Sequence, residues 1–419
     1  MQISDSKRAI WSWACYDWAN SAYTTTVMAG FFPVFFKQFW ASGLSANEST
    51  FWLGMANAVS GLLIALLAPI LGAVADQGGL KKRMMLSFTT LAVLMTAALF
   101  FVTQGSWVVA IAIFTFGSIA FSGANVFYDA LIVDVAEYEE LDRVSALGYG
   151  VGYIGGGLLF ALNVLMTLHP DWFGLSDASE AVRVSFLSVA IWWAVFSLPL
   201  AYGVHESHVS EQPQWLSATR AGFSQLSETF HQIRQLRQVW LFLLAYFLYI
   251  DGVNTVARMA VDYGLSLGFD SSVLITALLV TQFVAFPSAL ALGWLGEKWH
   301  AKGVILICIG VYALVCVWSS MMTAAVDFYT LAIAVGLVIG GIQALSRSMY
   351  AKMIPRHQAA EFFGFFNMMG KFAAVLGPVL MGTVSMMTGS SRASILAIVV
   401  LFAVGAWLLY RVDVQGETA

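Results

Sequence analysis

Charged residues are scarce in this chain. Only 11% of its 419 residues are Asp, Glu, Lys or Arg, whereas 59% are hydrophobic. A soluble domain has about 25% charged residues, and it could not keep so much apolar surface away from water. The composition therefore excludes a soluble enzyme, a nucleic-acid-binding protein and a disordered scaffold, and it indicates a protein that lies within a membrane.

Cysteine is also rare, and so are the patterns that carry enzyme chemistry. Cys15, Cys308 and Cys316 lie in apolar stretches and form neither a disulfide framework nor a Cys-x-x-Cys metal pair. The sequence contains no catalytic triad, metal cluster or phosphate-binding loop. We therefore expect no enzymatic activity, no cofactor and no bound metal.

The segment 150–155 reads Gly-x-Gly-x-x-Gly, a pattern that elsewhere marks a dinucleotide-binding loop. Here it lies within a long apolar run with no preceding strand, which excludes a dinucleotide site. Gly148, Gly152 and Gly156 instead recur every four residues. This spacing predicts a seam at which another helix packs closely.

Long apolar runs account for most of the chain. A transmembrane helix needs about 20 mainly apolar residues. The sequence contains twelve such stretches, with approximate limits 10–39, 51–74, 84–103, 107–131, 144–168, 182–203, 238–263, 271–294, 303–323, 328–350, 361–388 and 393–411. The fold class predicted is therefore an all-α membrane protein with twelve transmembrane helices.

Residues 204–237 form the one long polar stretch between these runs, and they divide the runs into two sets of six. We predict a first bundle at 1–203, a cytoplasmic linker at 204–237 and a second bundle at 238–419. Within the linker, apolar residues recur at helical spacing between 223 and 233, which favours an amphipathic helix on the membrane surface. A plain solvated linker is the alternative.

Lys and Arg residues outside the predicted spans are unevenly distributed between the two sides of the membrane. With the N-terminus inside, the basic run at 81–83 and most other Lys and Arg residues face the cytoplasm, whereas Lys37, Arg183 and Arg392 face outward. Cytoplasmic loops are the ones enriched in Lys and Arg. We therefore expect both termini to be cytoplasmic.

The two predicted bundles share short motifs in the same order. Asp17 and Asn20 in the first bundle match Asp251 and Asn254 in the second. Gly72, Asp76 and Lys81 match Gly293, Glu297 and Lys302. The segment 125–129 matches 343–347. Such a repeat predicts two homologous bundles with a binding site between them. This arrangement suits alternating access, in which one half rocks against the other.

The loop 72–83, GAVADQGGLKKR, resembles the signature GxxxD(R/K)xGR(R/K) of the major facilitator superfamily. It keeps the glycines, the aspartate and a basic residue, and it departs at Gln77 and Leu80. The resemblance implies the fold of that superfamily, two pseudo-symmetric six-helix bundles. It also implies a cytoplasmic gate, to which we assign Gly72, Asp76, Lys81, Arg83, Glu297 and Lys302.

A narrower resemblance covers nearly the whole chain. The segments 16–23 (YDWANSAY), 249–255 (YIDGVNT) and 341–348 (GIQALSRS) are similar to motifs of the vacuole effluxer family, as are 354–355 and 361–364. That family includes autophagy-related vacuolar amino-acid exporters and their bacterial relatives. The resemblance implies a secondary transporter for an amino acid or a similar small zwitterion, moved outward or down a proton gradient.

Polar residues within the spans are costly in lipid, so each is a candidate for solute or proton binding. Asp17 and Asn20 share one helix face, and Asp251 and Asn254 repeat that pair. Either aspartate could carry a proton. The alternative for each is a structural role, in which the carboxylate pairs with a neighbouring cation or with a helix end. The other candidates are Tyr23, Asn125, Tyr128, Arg258, Gln282, Gln343, Arg347, Asn367 and Lys371.

Lys371 is the most unusual of these candidates because it lies in the middle of span 11. A buried lysine binds an anion, pairs with a carboxylate or loses its proton, and Asp17 and Asp251 are the partners we expect. Arg258 has a simpler alternative, an i,i+4 bridge to Asp262. At the end of span 10, Arg347 is expected to have a gating or positioning role.

Acidic residues are concentrated around the loop between spans 4 and 5, at Asp129, Asp134, Glu137, Glu139, Glu140 and Asp142. The basic run 81–83 lies on the same predicted side of the membrane. Either the two groups form salt bridges that open during transport, or they form a solvated face.

Together these features predict a secondary active transporter of a small polar solute such as an amino acid, coupled to protons. Two alternatives stay open: a transporter of organic anions or amphipathic drugs, and a non-transporting membrane receptor or assembly subunit. We expect the partners to be a small-molecule substrate, protons and the lipid bilayer, with no nucleic acid. The chain is expected to be a monomer in a bacterial inner membrane.

Overall fold

The computed structural model describes residues 3–206, 236–266, 271–373 and 376–413. Within these ranges the chain is almost entirely helical and contains no strand, so the all-α fold class is confirmed. The predicted amphipathic helix at 223–233 lies outside the described residues, and so does the side chain of Arg258. We refer to residues up to 206 as the first half and to residues from 236 as the second half.

The first half contains six long helices. Helix α1 is Ile3–Ala22, and it continues through the π-helical segments Tyr23–Phe31 and Phe36–Trp40. The helices that follow are α2 (Ala46–Gly78), α3 (Lys81–Ala98), α4 (Trp107–Ala130), α5 (Leu141–Leu168) and α6 (Ala178–Gly203). Each corresponds to one predicted span.

The second half also follows the predicted spans. Its helices are α7 (Arg237–Ser266), α8 (Ser271–Trp299), α9 (Ala301–Met321), α10 (Ala325–Met353), α11 in two segments (Ala359–Phe372 and Leu376–Thr388) and α12 (Ser391–Tyr410).

Eleven helices in the described ranges, α2 to α12, are long and apolar enough to cross a membrane. The sequence predicts twelve spans, the first of them at 10–39. That segment is helical, but α1 also carries Asp5, Lys7, Arg8 and Asp17, which lower its hydropathy. A membrane-spanning role for the first helix therefore stays a prediction.

Local sequence signals explain how α2 begins and ends. Ser45 and Glu48 form a reciprocal capping box, in which each side chain accepts a hydrogen bond from the backbone amide of the other residue. At its end, Gly79 has a φ of 59°, in the left-handed region that glycine adopts without steric strain. This tight turn starts α3 at Lys81, close to Asp76 of α2.

The two halves pack against each other along two seams. Helix α2 lies against α11, and α5 lies against α8 and α10. At the first seam the backbones approach closely: a methyl group on Gly364 would lie 2.6 Å from the Ala68 carbonyl oxygen, and one on Gly72 would overlap the Ala360 carbonyl. Only glycine at these positions allows so close an approach.

The predicted glycine seam of α5 faces α1. A methyl group on Gly152 would lie 2.6 Å from Ser21 Oγ, and one on Gly156 would lie 2.9 Å from Thr25 Oγ1. The prediction of close helix packing is confirmed. It fixes the helix that carries Asp17 against the helix that packs on the second half.

Candidate functional site

A cavity of about 480 Å³ lies between the two halves. Its walls include residues of α1, α4 and α5 from the first half and of α7, α8 and α10 from the second. Small-molecule sites commonly enclose about 300–1,000 Å³. The cavity is therefore large enough for a metabolite-sized solute.

Arg347 of α10 lies at one end of this cavity and is held by two carboxylates. Its Nη1 donates to Asp129 Oδ1 at 3.1 Å, and its Nη2 lies 3.6 Å from Asp17 Oδ2. Its Nε donates to Ser145 Oγ at 2.9 Å, and Nη2 donates to the Ser145 carbonyl at 3.0 Å. The Arg347 side chain is only 2% exposed, so these charge-assisted contacts fix its position.

Three aromatic rings surround the same guanidinium. Arg347 Cζ lies 4.3 Å from the ring centre of Tyr149, 4.8 Å from that of Trp13 and 5.5 Å from that of Tyr128. Trp13 stacks on Tyr128, with ring centres 4.5 Å apart. A cation over an aromatic face gains about 0.5–2 kcal/mol. The rings therefore offset part of the free energy that burial of the charge requires.

The charged residues that line the cavity, among those the structure describes, are Asp17, Asp129 and Arg347. Two carboxylates and one guanidinium sum to one negative charge. Neutral donors offset it in part, because Tyr128 Oη donates to Asp17 Oδ2 at 2.9 Å and Asn367 Nδ2 donates to Asp129 Oδ2 at 3.1 Å. This end of the cavity therefore favours a cation or a proton.

Polar side chains continue along the cavity wall and join the halves. Tyr153 Oη donates to Gln343 Oε1 at 2.7 Å, and Gln282 Nε2 donates to Thr25 Oγ1 at 2.9 Å. Both bonds connect a helix of the first half to a helix of the second. They offer donors and acceptors to a polar solute, and both hydrogen bonds hold the two halves together at the cavity wall.

The part of the cavity far from Arg347 is mainly apolar. Along α10 the lining runs from Phe328 near the helix start to Arg347 near its end, about 28 Å at 1.5 Å per residue. Apolar lining residues include Phe160, Val256, Leu274, Phe328, Leu331 and Val335. An aliphatic or aromatic part of a solute would be buried favourably against them.

Eight of the residues predicted from the sequence line the cavity: Asp17, Asn20, Asn125, Tyr128, Gln282, Gln343, Arg347 and Asn367. They come from both halves, and Asn20 Nδ2 donates to Asn125 Oδ1 at 2.8 Å. The structure therefore brings these predicted residues together around one space.

Other predicted site residues, Tyr23, Asp251, Asn254 and Lys371, are not among the lining residues described. Tyr23 Oη lies 3.3 Å from Ser118 Oγ within the first half. Asp251 Oδ2 accepts a hydrogen bond from the Gly377 amide of α11 at 2.8 Å. This contact with the start of a helical segment agrees with the structural role that is the alternative for Asp251. Asp17, in contrast, faces a cation, which is Arg347.

Asp129, Ser145 and Tyr149 contact Arg347, and the sequence does not predict them as site residues. Asp129 follows Tyr128 at the end of α4, and that adjacency is the signal that could have identified it. No sequence signal marks Ser145 or Tyr149, because their role depends on how α5 packs against α10.

Charged groups close the end of the molecule beyond Arg347. Asp76, near the end of α2, accepts hydrogen bonds from the amides of Ala360 at 3.2 Å and Glu361 at 2.8 Å, at the start of α11. Lys352 of α10 pairs with Asp142 of α5 at 2.7 Å. Both contacts join the two halves, and the cavity extends toward the opposite end.

Lys81 and Lys82, basic residues at the end of the first gate motif, make contacts within the first half. Lys81 pairs with Asp134 at 2.6 Å, which agrees with the first of the two alternatives for the acidic cluster, a salt bridge with the basic run 81–83. The Glu206 carboxylate accepts from the amides of Lys81 at 3.1 Å and Lys82 at 2.8 Å. Burial raises the pKa of Glu206 above its ordinary value. Arg83 is exposed.

The second copy of the gate motif mirrors the first at its glycine, because Gly72 and Gly293 both lie at a contact between the halves, but it differs at its acidic residue. Glu297 is exposed, and Lys302 donates to the carbonyls of Tyr410 and Val412 within the second half. Gly293 is buried where α8 packs against α5. Of the two acidic residues of the motif, Asp76 therefore joins the halves and Glu297 does not.

No group of three or more His, Cys, Asp or Glu side chains that could hold a metal ion is found in the described part of the chain.

Comparison with known proteins identifies relatives over nearly the whole length. The family described as "Vacuole effluxer Atg22 like" matches residues 41–139 and 133–418. The chain is 41% identical to the uncharacterized MFS-type transporter YxiO of Bacillus subtilis, over 97% of this chain and 95% of that protein. It is 23% identical to autophagy-related protein 22 of Eremothecium gossypii, over 94% of this chain and 88% of that protein.

Solved structures of major facilitator proteins have the same fold. The human organic anion transporter MFSD10 aligns with a TM-score of 0.71 and 14% identity, over 96% of this chain and 99% of that one. The proton:xylose symporter XylE aligns with a TM-score of 0.69 and 14% identity, over 97% of this chain and 95% of that one. At such low identity the likeness establishes the fold alone.

Proposed function

Because the chain belongs to the Atg22-like vacuole effluxer family, within the major facilitator superfamily, we propose that it moves a small polar solute across a bacterial inner membrane by proton-coupled alternating access. Its relatives are membrane transporters of the major facilitator type and not enzymes. The solute class, the coupling and the mechanism are inferred from the cavity.

The transporter we propose has twelve transmembrane helices in two six-helix bundles, 1–203 and 238–419, with both termini in the cytoplasm. Closure at the Asp142–Lys352 end, with a cavity extending away from it, corresponds to one of the two states of alternating access. The distribution of Lys and Arg supports a cytoplasmic position for the closed end, which makes this state outward-facing. One copy of the chain contains the whole cavity, which supports a monomer.

The observation that carries this function is the buried cluster of Asp17, Asp129 and Arg347 between the halves. Its members lie on α1, α4 and α10, so a rocking motion must rearrange it. The one negative charge in excess is balanced when a solute ammonium or a proton binds. Binding there changes the free energy of the contact that holds the halves together, which is the requirement for coupling.

An amino acid or a similar zwitterion fits these groups. Its ammonium would bind near Asp17 and Asp129, its carboxylate would accept from side-chain amides such as Asn125, and its side chain would lie against the apolar lining. Asp17 and Asp129 are also the proton carriers we propose. They take this role in place of Asp251, whose carboxylate binds a backbone amide.

Counterflow in proteoliposomes tests this function. Vesicles loaded with a mixture of unlabelled amino acids receive one labelled amino acid at a time, first without and then with a pH gradient. We expect the wild type to accumulate one or a few amino acids. Asp17→Asn and Asp129→Asn should lose pH-driven transport, whereas Asp171→Asn, an exposed position between α5 and α6, should keep it. Folded protein that accumulates no amino acid would refute amino-acid transport.

An amphipathic organic solute is the second candidate, and the apolar lining around Phe160 and Phe328 favours it. The excess negative charge near Arg347 favours a cationic amphiphile over an organic anion. The same vesicles, given a labelled lipophilic cation, separate this solute from an amino acid. A receptor or assembly subunit would give no solute-dependent flux in either assay.

A further inference from the structure

Arg347 belongs to the second half of the chain, but the groups that hold it belong to the first. Five of these groups form a compact set on α1, α4 and α5, and we refer to them as the cation box. The cation box consists of Trp13, Asp17, Tyr128, Asp129 and Tyr149. One half of the molecule thus contains a complete receptacle for a charge supplied by the other half.

We propose that the cation box is a binding site for an organic ammonium or guanidinium group, and that Arg347 occupies it in the closed arrangement of this end. When the halves separate here, α10 carries Arg347 out of the box, and a cationic group of the solute takes its place. This inference rests on the proposed alternating-access function. It narrows the solute class to organic cations and zwitterions that carry an amine.

The composition of the box suits an organic cation. Two carboxylates supply negative charge, and three ring centres lie 4.3 to 5.5 Å from the guanidinium carbon. Cations bind aromatic faces at up to about 6 Å. A hard metal cation instead needs a shell of about six oxygen ligands, which aromatic rings do not provide. The box therefore discriminates in favour of ammonium and guanidinium groups.

An empty box is energetically unfavourable. The side chains of Asp17 and Asp129 are only 11% and 12% exposed, and removing the partner of a buried charge is strongly destabilising. Departure of Arg347 therefore requires a replacement, either a solute cation or protons. A solute that supplies a cation lowers the free energy of the separated state, whereas a purely anionic solute does not.

Gly148 of α5 keeps the box accessible to Arg347. A methyl group at this position would lie 2.7 Å from Asp17 Oδ2, 2.9 Å from the Trp13 ring and 3.1 Å from Arg347 Nη2. Gly148 is therefore a positioning residue. Alanine in its place would narrow the box without removing any of its charges.

Chemical rescue tests the box without any transport assay. Arg347→Ala removes the resident cation, and methylguanidinium chloride is titrated onto the purified full-length protein while its thermal unfolding is followed. We expect saturable stabilisation, with sodium chloride at equal ionic strength as the control. Adding Asp17→Asn should weaken the apparent affinity about tenfold, the size expected for loss of one charge-assisted contact. Folded Arg347→Ala without saturable stabilisation would overturn the inference.

The wild-type protein provides a second test that does not depend on the folding of Arg347→Ala. Counterflow is measured in the presence of amino-acid analogues that carry either the ammonium charge or the carboxylate charge, but not both. We expect amino-acid amides, which are cations, to compete and N-acetyl amino acids, which are anions, not to compete. Gly148→Ala should raise the amide concentration needed for half-inhibition, whereas Gly61→Ala, with no atom within 4 Å of the added methyl group, should not. Competition by the anions alone, or equal competition by both classes, would overturn the inference.

The outcomes separate the box from the transporter. Rescue of Arg347→Ala without amino-acid counterflow in the wild type would support the cation box and refute the proposed amino-acid transport. Counterflow in the wild type, without rescue of Arg347→Ala and without competition by amides, would support amino-acid transport and refute the cation box.

Discussion

Lys352 Nζ lies 2.7 Å from Asp142 Oδ2 and ties the end of α10 to the start of α5. The Asp142 side chain is only 2% exposed, and its Oδ1 has no hydrogen-bond partner among the residues that the structure describes. Lys352 is therefore the main compensation for burial of this carboxylate. Because the two helices belong to different halves, opening of this end requires the pair to break.

We predict that Lys352→Met favours the state that is open at this end. Leaving a buried carboxylate without its partner costs about 3–5 kcal/mol, and about 1.4 kcal/mol changes a population tenfold. Spin labels at Arg143 and Lys298, exposed positions on α5 and α8, report the separation of the halves. We expect the long-distance population to rise at least about tenfold.

Lys302→Met is the matched control for this change, because Lys302 binds carbonyl groups within its own half. Its distance distribution should equal that of the wild type. An unchanged distribution in Lys352→Met, or an equal change in both variants, would contradict a gating role for the Asp142–Lys352 pair.

Gly72→Ala should loosen the other contact between the halves. The added methyl group would overlap the Ala360 carbonyl, and a backbone atom cannot move aside as a flexible side chain can. Overpacking of this kind costs about 1–3 kcal/mol, and it would pull Asp76 away from the amides at the start of α11. We expect a lower melting temperature and slower counterflow.

Gly61→Ala on the same helix is the control for Gly72→Ala, because a methyl group there meets no atom within 4 Å. It should leave both the melting temperature and the counterflow rate near the wild-type values. Similar behaviour of the two variants would show that helix propensity, and not contact with α11, determines the effect.

The helices could be predicted well from the sequence, because a run of about 20 apolar residues directly reflects the thickness of the lipid that surrounds it. The site could be predicted in part. Asp17, Tyr128 and Arg347 stood out because the free-energy cost of a polar group in lipid is a property of the residue itself. The same reasoning selected Asp251 and Lys371, which do not line the cavity, since the partner of a residue depends on how helices pack.

The internal repeat is informative about the fold and misleading about the site. Asp17 and Asp251 occupy matching positions in the two halves, yet Asp17 faces Arg347 whereas Asp251 accepts from the Gly377 amide. The two positions lie on matching helices, but the groups that face them differ. Symmetry in the sequence therefore does not predict symmetry of roles.

We predict that Asp251 contributes to stability and not to proton coupling. Asp251→Asn keeps an oxygen that can accept from the buried Gly377 amide, so pH-driven counterflow should persist. Asp251→Leu leaves that amide unpaired and should lower the free energy of unfolding by about 1–3 kcal/mol. Thermal unfolding and the pH dependence of counterflow measure the two effects. Loss of pH dependence in a stable Asp251→Asn protein would instead make Asp251 a proton carrier.

Tyr153→Phe should strengthen apparent solute binding. Tyr153 Oη donates to Gln343 Oε1 at 2.7 Å, so a solute that binds Gln343 must first displace this bond. The bond contributes about 0.5–1.5 kcal/mol, and its removal should lower the half-saturation concentration for counterflow about two- to tenfold. Tyr202→Phe, at a side chain that is 76% exposed, is the control. A change in maximal rate with unaltered half-saturation would mean that the bond resists separation of the halves and does not compete with the solute.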